Sequence, residues 1–282
     1  MHAITTQEKI QQTVSELHKN KRLVGFVPTM GALHHGHQAL IDFALEQCDH
    51  VVVSIFVNPT QFNNQDDFDQ YPRSLERDLQ FLQPYGDKVS VYAPSVEDIY
   101  ADQVTATSYD FGGLEREMEG RYRPGHFEGV GTVLNRLFRI VKPDKAFFGE
   151  KDFQQLQIVR KLVTIENLPV EIIGAPIYRQ ADGLAMSSRN QRLSYEQLQK
   201  APLIFQTLQQ VQEDFGTKNV RALNEMVQAR FDGVEGFDLE YFEIARESDL
   251  KTISRKQNKE KYRAFIAVFA GEVRLIDNIA LN

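Results

Sequence analysis

Apolar positions in the first half of the chain recur in two alternating rhythms. Leu23 to Val27 is a short apolar run ending at Pro28, which predicts a strand. Gln38 to Gln47 places Ala39, Leu40, Phe43 and Ala44 on one side of a helix. His50 to Val57 is a β-branched run, the signature of a strand buried on both faces. These three segments make a βαβ unit. Ser74 can cap a helix carrying Leu75, Leu79 and Leu82. Val89 to Tyr92 then predicts a strand, Val130 to Val141 a helix, Lys145 to Phe148 a buried strand, Asp152 to Glu166 a helix and Val170 to Ile173 a strand.

Strands alternating with helices imply a mainly parallel sheet. The rhythm changes after Pro176. Tyr195 to Phe215 and Val220 to Phe231 predict helices, while Leu239 to Ala245, Tyr262 to Phe269 and Glu272 to Ile276 predict strands. The charged stretch Lys251 to Lys261 predicts a solvated loop. The fold class is therefore α/β: a Rossmann-like parallel sheet with helices on both faces, followed by a smaller α+β C-terminal domain. The expected division is 1–176 and 177–282, with a hinge near Ala175 to Gln180. A chain of 282 residues suits one large and one smaller domain.

Charge narrows the partners. A formal net charge of −7 argues against nucleic acid, whose binding needs a basic surface. No apolar run is long enough to cross a bilayer, and Met1 to Lys19 has no signal-peptide core. The single cysteine, Cys48, forms no internal disulfide and lies in an apolar stretch, so it reads as a small core residue. A cytoplasmic protein is expected.

Four segments hold candidate chemistry. Met30-Gly31-Ala32-Leu33-His34-His35-Gly36-His37 follows a strand and opens a helix. In an open parallel sheet, ligands bind beyond the carboxyl ends of the strands. A helix start offers free N–H groups and a positive dipole end to phosphate. Gly31 and Gly36 permit close backbone approach, and His34 and His37 can donate hydrogen bonds and carry charge near neutral pH. A polar loop and a histidine metal site stand as alternatives, although no carboxylate or cysteine set completes a coordination sphere.

Asn58-Pro59-Thr60-Gln61-Phe62 ends the next strand, and its two amides suit a hydroxy acid; a proline-directed turn is the alternative. Phe147 to Gln155 contains Gly149, Glu150, Lys151 and Asp152, with Gln155 one helical turn beyond Lys151. Lys151 suits phosphate, and an exposed helix start is the alternative. Past the hinge, Met186-Ser187-Ser188-Arg189-Asn190 joins two hydroxyls to an arginine, which suits a phosphate chain, or forms a polar loop with a capping serine.

His-x-Gly-His at this position looks like the signature of the nucleotidyltransferase superfamily. The four segments in this order resemble the pantothenate synthetase (pantoate–β-alanine ligase) family. Phe68-Asp-Gln-Tyr-Pro-Arg73 and Arg123-Pro-Gly-His-Phe127 fit it too. The resemblance runs at motif level from about Leu23 to Asn190.

It implies that Met30 to His37 and Gly149 to Asp152 bind ATP, with Met186 to Arg189 closing over the phosphates and the backbone of Tyr178 against adenine. It implies that Gln61 and Gln155 hold pantoate, that Gln61 borders β-alanine, and that His37 is the proton donor. Asn58 joins the acid pocket, and His34 and Lys151 join His37 as the catalytic donors. The implied cofactors are ATP as substrate and Mg²⁺, carried mainly on phosphate and water with no protein ligand named. A homodimer is implied as well. His35, Phe153 and Tyr178 depart from the family's usual residues, which are acidic, tyrosine and small aliphatic. Two further readings are a nucleotidyltransferase that stops at a nucleotide conjugate, and a non-catalytic nucleotide-binding module.

Overall fold

The computed structural model describes residues 1–62, 68–69, 71–101 and 103–282. Gln70, within the Phe68–Arg73 motif, lies outside the described residues. Six parallel strands form one sheet in the order β1-β4-β3-β2-β5-β6. They are β1 (Ala3–Ile4), β2 (Val24–Thr29), β3 (His50–Ile55), β4 (Val89–Tyr92), β5 (Lys145–Gly149) and β6 (Glu171–Ala175). A second, antiparallel sheet joins β7 (Phe237–Arg246), β8 (Tyr262–Ala270) and β9 (Val273–Ala280) in sequence order.

The expected strands are present, with shifted ends. β2 does not stop at Pro28. In the parallel register Pro28 stands opposite Ser54 and Thr29 opposite Ile55, so the strand runs one residue past the proline. The helix expected from Gln38 starts at His35, because His34 caps it. The helix expected from Val130 starts at His126, after Gly125 in left-handed backbone. Ser74 occupies the N-cap position of helix Leu75–Leu82, but its side chain makes no capping bond; its carbonyl accepts from the Asp78 amide instead. The single helix expected over Tyr195 to Phe215 is two, Tyr195–Lys200 and Leu203–Asp214, broken at Pro202, which has no N–H to continue the ladder. Helix Gln7–Lys19 buries only Ile10 and Val14 among the described core, which is why its polar sequence gave little signal.

Two large apolar clusters matter for the site. One fills the space between the parallel sheet and helices His126–Val141 and Phe153–Ile165, and takes in Tyr241, Ala245 and Phe265 from the antiparallel sheet. The other packs helices Leu203–Asp214 and Val220–Phe231 on that sheet. Cys48 is buried, and burial pushes its thiol up to about 11, as a packing residue requires. No described helix is long and apolar enough to cross a membrane.

The order of the large sheet fixes where a ligand can sit. From β2 the chain moves outward through β3 and β4 on one side, then returns to place β5 on the other. Loops leaving the carboxyl ends of β2 and β5 therefore diverge and leave a crevice between them.

Candidate active site

The turn after β2 needs unusual backbone. Gly31 and Ala32 both have positive φ, at 80° and 51°. The carboxylate of Asp78, buried under the turn, accepts from the Ala32 amide at 3.0 Å and the Leu33 amide at 2.8 Å. A Cβ on Gly31 would stand 2.8 Å from Asp78 Oδ2, so both the φ and the close approach demand glycine. Burial pushes the Asp78 carboxyl up from its ordinary range, while the two amide bonds favour its charged form.

Beyond this turn the two histidines cap the helix and one another. His34 Nδ1 accepts from the Gly36 amide at 3.2 Å, and His37 Nδ1 accepts from the His34 amide at 3.2 Å. Their rings stack with centroids 4.0 Å apart. A nitrogen that accepts carries no proton, so each neutral ring holds its hydrogen on Nε2. The amide of His37 goes to the His34 carbonyl. The amides of Ala32, Leu33, Gly36 and His37 thus have partners within the protein, and each imidazole keeps an Nε2–H to offer a ligand.

The expected charge is corrected too. Burial, then the neighbouring Lys151, lowers His34 to about 4. Burial, then His34 and Lys151, holds His37 well below its ordinary range. Both rings are neutral at pH 7 before an anion arrives.

The turn after β3 is held as firmly. Asn58 is 1% exposed. Its Oδ1 accepts from Tyr100 Oη at 2.6 Å and Thr60 Oγ1 at 3.1 Å, and its Nδ2 donates to the Gly129 carbonyl and to Gln61 Oε1, each at 3.1 Å. Both polar atoms of the Asn58 side chain have protein partners, and the residue also lines the cavity described below. Its effect is to face the Gln61 oxygen inward and leave the Gln61 Nε2–H₂ as the donor, 2.9 Å from Met30 Sδ. His126 completes the support, with Nδ1–H donating to the Gln61 carbonyl at 2.9 Å and Nε2 accepting from Arg123 at 3.2 Å. Burial, then Arg123, lowers His126 to about 3, in keeping with a neutral ring.

One cavity of about 700 Å³ collects residues from four loops. Its wall includes Met30, Gly36, His34 and His37 after β2, Gln61 after β3, and Gly149, Lys151, Asp152 and Gln155 after β5. Tyr178, Met186, Ser187, Ser188 and Arg189 close the far side. Lys151 Nζ lies 3.2 Å from Asp152 Oδ1, and Ser188 Oγ donates to the Ala32 carbonyl at 3.2 Å. The Tyr178 carbonyl accepts from the Met186 amide at 3.0 Å, which shapes the strap between them.

Five expected residues do not line this wall. Gly31, Ala32 and Leu33 form the turn clamped by Asp78. His35 is exposed and its Nδ1 pairs with Gln38 Oε1 at 3.1 Å. The Glu150 side chain faces Arg263 at 3.5 Å. Phe153, one of the unusual positions, does line the wall and packs beneath the Arg263 guanidinium at 3.9 Å, where a phenol oxygen would need its own partner.

Several supporting residues escaped sequence reasoning. Asp78 sits in a charged helix turn and looks solvated in sequence. Glu119 is buried and bonded by Arg274 at 2.8 Å through both of its oxygens, and by Tyr241 Oη at 2.8 Å. Its signal exists only in the folded chain, since the partners are far apart in sequence.

Comparison with known proteins gives the chain its relatives. A family model described as Pantoate-beta-alanine ligase matches residues 2–280. A pantothenate synthetase of Flavobacterium psychrophilum is 51% identical over 264 residues, covering 94% of each chain. One from Christiangramia forsetii is 46% identical over the full length of both. A crystal structure of pantothenate synthetase from Thermus thermophilus superposes with a TM-score of 0.90 at 39% identity, covering 100% of this chain and 99% of that one. A pantoate-beta-alanine ligase from Francisella tularensis, complexed with beta-gamma ATP and beta-alanine, matches with a TM-score of 0.80 at 36% identity, over 100% and 98% of the two chains.

Proposed function

The chain belongs to the pantoate–β-alanine ligase family, and from that premise we propose how its own residues carry the reaction. It is an ATP-dependent ligase that condenses (R)-pantoate with β-alanine to give pantothenate, AMP and diphosphate through a pantoyl adenylate. In the first step a pantoate carboxylate oxygen bonds to the α-phosphorus and the bond to diphosphate breaks. In the second the β-alanine amine bonds to the acyl carbon, the bond to AMP breaks, and the amine loses a proton. No enzyme nucleophile is needed, so catalysis rests on position and charge.

The assignment of roles follows the cavity. His34 and His37 donate from Nε2 to the nucleotide phosphates, and Lys151 adds its positive charge. Ser187, Ser188 and Arg189 cover the phosphate chain. Gln61, oriented by Asn58, and Gln155 donate to the pantoate oxygens. Keeping both imidazoles neutral beside Lys151 avoids crowding like charges, yet leaves two directed donors. His37 on this reading acts as a hydrogen-bond donor, since adenylate formation itself transfers no proton.

Magnesium would travel with ATP and neutralise charge on its phosphates. Among the described residues no group of three His, Cys, Asp or Glu side chains gathers to hold an ion of its own. A homodimer in the cytoplasm belongs to the same proposal and rests on the family resemblance. So does the 177–282 unit as a lid over the cavity.

The observation that carries these roles is the meeting of His34, His37 and Lys151 with Gln61 and Gln155 in one crevice. Replacing His37 by alanine tests it. Removing a donor that acts chiefly in the transition state costs about a hundredfold or more in turnover. The expected result is that loss in AMP and pantothenate formation, read by mass, with an unchanged circular dichroism spectrum. A near-normal rate would make His37 only a helix cap.

A further inference from the structure

The strand β9 belongs to none of the segments assigned to ligands, yet it passes between two of them. Its pattern is broken by adjacent polar residues, Asp277 and Asn278, which are 4% and 1% exposed. Successive residues of a strand point to opposite faces, so the pair reaches in two directions.

On one side Asn278 Nδ2 donates to the carbonyls of Glu150 at 2.9 Å and Lys151 at 2.8 Å. Its Oδ1 accepts from Arg263 at 2.7 Å, and Arg263 is itself held by Glu247 at 2.8 Å and stacked on Phe153. The amide cannot rotate without leaving these carbonyls unpaired. On the other side the Asp277 carboxylate takes both arms of Arg179, at 2.6 and 2.9 Å. Arg179 also donates to the Gly183 carbonyl at 3.1 Å and packs over Phe205 at 3.7 Å. It pairs through the backbone with Ala185, just before Met186 to Arg189. A bidentate pair fixes orientation as well as distance.

We infer that Asp277 and Asn278 are positioning residues for the adenylation step, setting the Lys151 loop and the Ser187–Arg189 strap at one spacing across the phosphate end of the cavity. Both also stand on the wall of the same cavity. They act by aligning the two groups of cations and hydroxyls that must meet one triphosphate, while Gln61 is held separately, on the turn after β3, by Asn58 and His126. The inference rests on the phosphate roles proposed above and extends them to a strand outside the assigned segments. Misplacing catalytic groups by about 1 Å costs on the order of a hundredfold.

The test compares wild type with Asn278→Ala and Asp277→Asn. Steady-state kinetics gives kcat/KM for ATP, calorimetry gives pantoate affinity, and the melting midpoint reports folding. The expected result is a fall of about tenfold or more in kcat/KM for ATP, with pantoate affinity within about twofold of wild type. Arg179→Lys, which keeps the charge but loses the fork, should show the same split with a smaller loss. It also carries the test if either first variant melts below assay temperature. Unchanged kcat/KM for ATP in the folded variants would overturn the inference. So would equal loss for ATP and pantoate, which is the mark of a merely structural role. Wild-type protein that forms no pantothenate would instead overturn the functional reading, before any variant is compared.

Discussion

The Nδ1 atoms of His34 and His37 both accept backbone hydrogens, and this decides what the rings can offer a nucleotide. The prediction is specific to tautomer and charge. With ¹⁵N-labelled histidine at pH 7, both rings should be neutral with hydrogen on Nε2. On acidification His34 should titrate near 4, as its burial beside Lys151 requires. The sign follows: an unfolded histidine protonates first, so this pair opposes folding progressively as pH falls from about 6.5 toward 4. A charged ring at pH 7, or hydrogen on Nδ1, would contradict the assignment. Which residue types meet in the cavity was legible in the sequence, because histidines, lysine and amides follow predicted strands. Which atoms face the ligand was not. Asn58 and Gln61 look equivalent in sequence, and only the Gly129 carbonyl and Tyr100 hydroxyl distinguish them.

Helix His126–Val141 shows how an element can place a side chain that it does not own. Gly129 lets the helix touch the turn Pro59–Gln61 directly. A Cβ there would lie 2.2 Å from the Thr60 carbonyl oxygen and 2.6 Å from Gln61 Cα, both backbone atoms that do not yield easily. Gly129→Ala should therefore push Gln61 from its place and destabilise the fold by about 1–3 kcal/mol or more, as overpacked cores do. Denaturation and pantoate calorimetry should fall together. An unchanged pantoate affinity would show that Gln61 stands apart from this contact. The helix was expected to begin at Val130, so Gly129 lay outside it and this role was invisible. Strands β3, β4 and β5 were legible because β-branched or aromatic runs have few other uses. The helix break at Pro202 was missed because apolar periodicity continues across it, although proline itself was the available signal.

At the scale of the molecule, the α/β order and the α+β C-terminal segment could be read from the change in rhythm after Pro176, whereas the antiparallel order of its sheet and its joints to the first could not. Arg121 meets Glu243, and Arg274 reaches Glu119, both over long sequence separations. Burial pushes Glu119 up, but Arg274, with Arg123 and Tyr241, more than offsets this and holds it at about 2. Its contribution to stability is full above the unfolded value near 4.5 and is lost as pH falls from there toward 2. If the 177–282 unit acts as a lid, opening should break the Ser188–Ala32 bond while Asn278 keeps its hold on the Lys151 loop as a pivot. Small-angle scattering should then show a smaller radius of gyration with ATP and pantoate than without, and identical curves would count against closure. The central claim is that the cavity brings a carboxylate to the α-phosphorus before any amine is needed. Isotope exchange tests it most directly. Labelled diphosphate should enter ATP when pantoate and Mg²⁺ are present and β-alanine is absent, because the first step is complete and reversible on the enzyme. Exchange that requires β-alanine, or none at all despite measured binding of ATP and pantoate, would contradict the account.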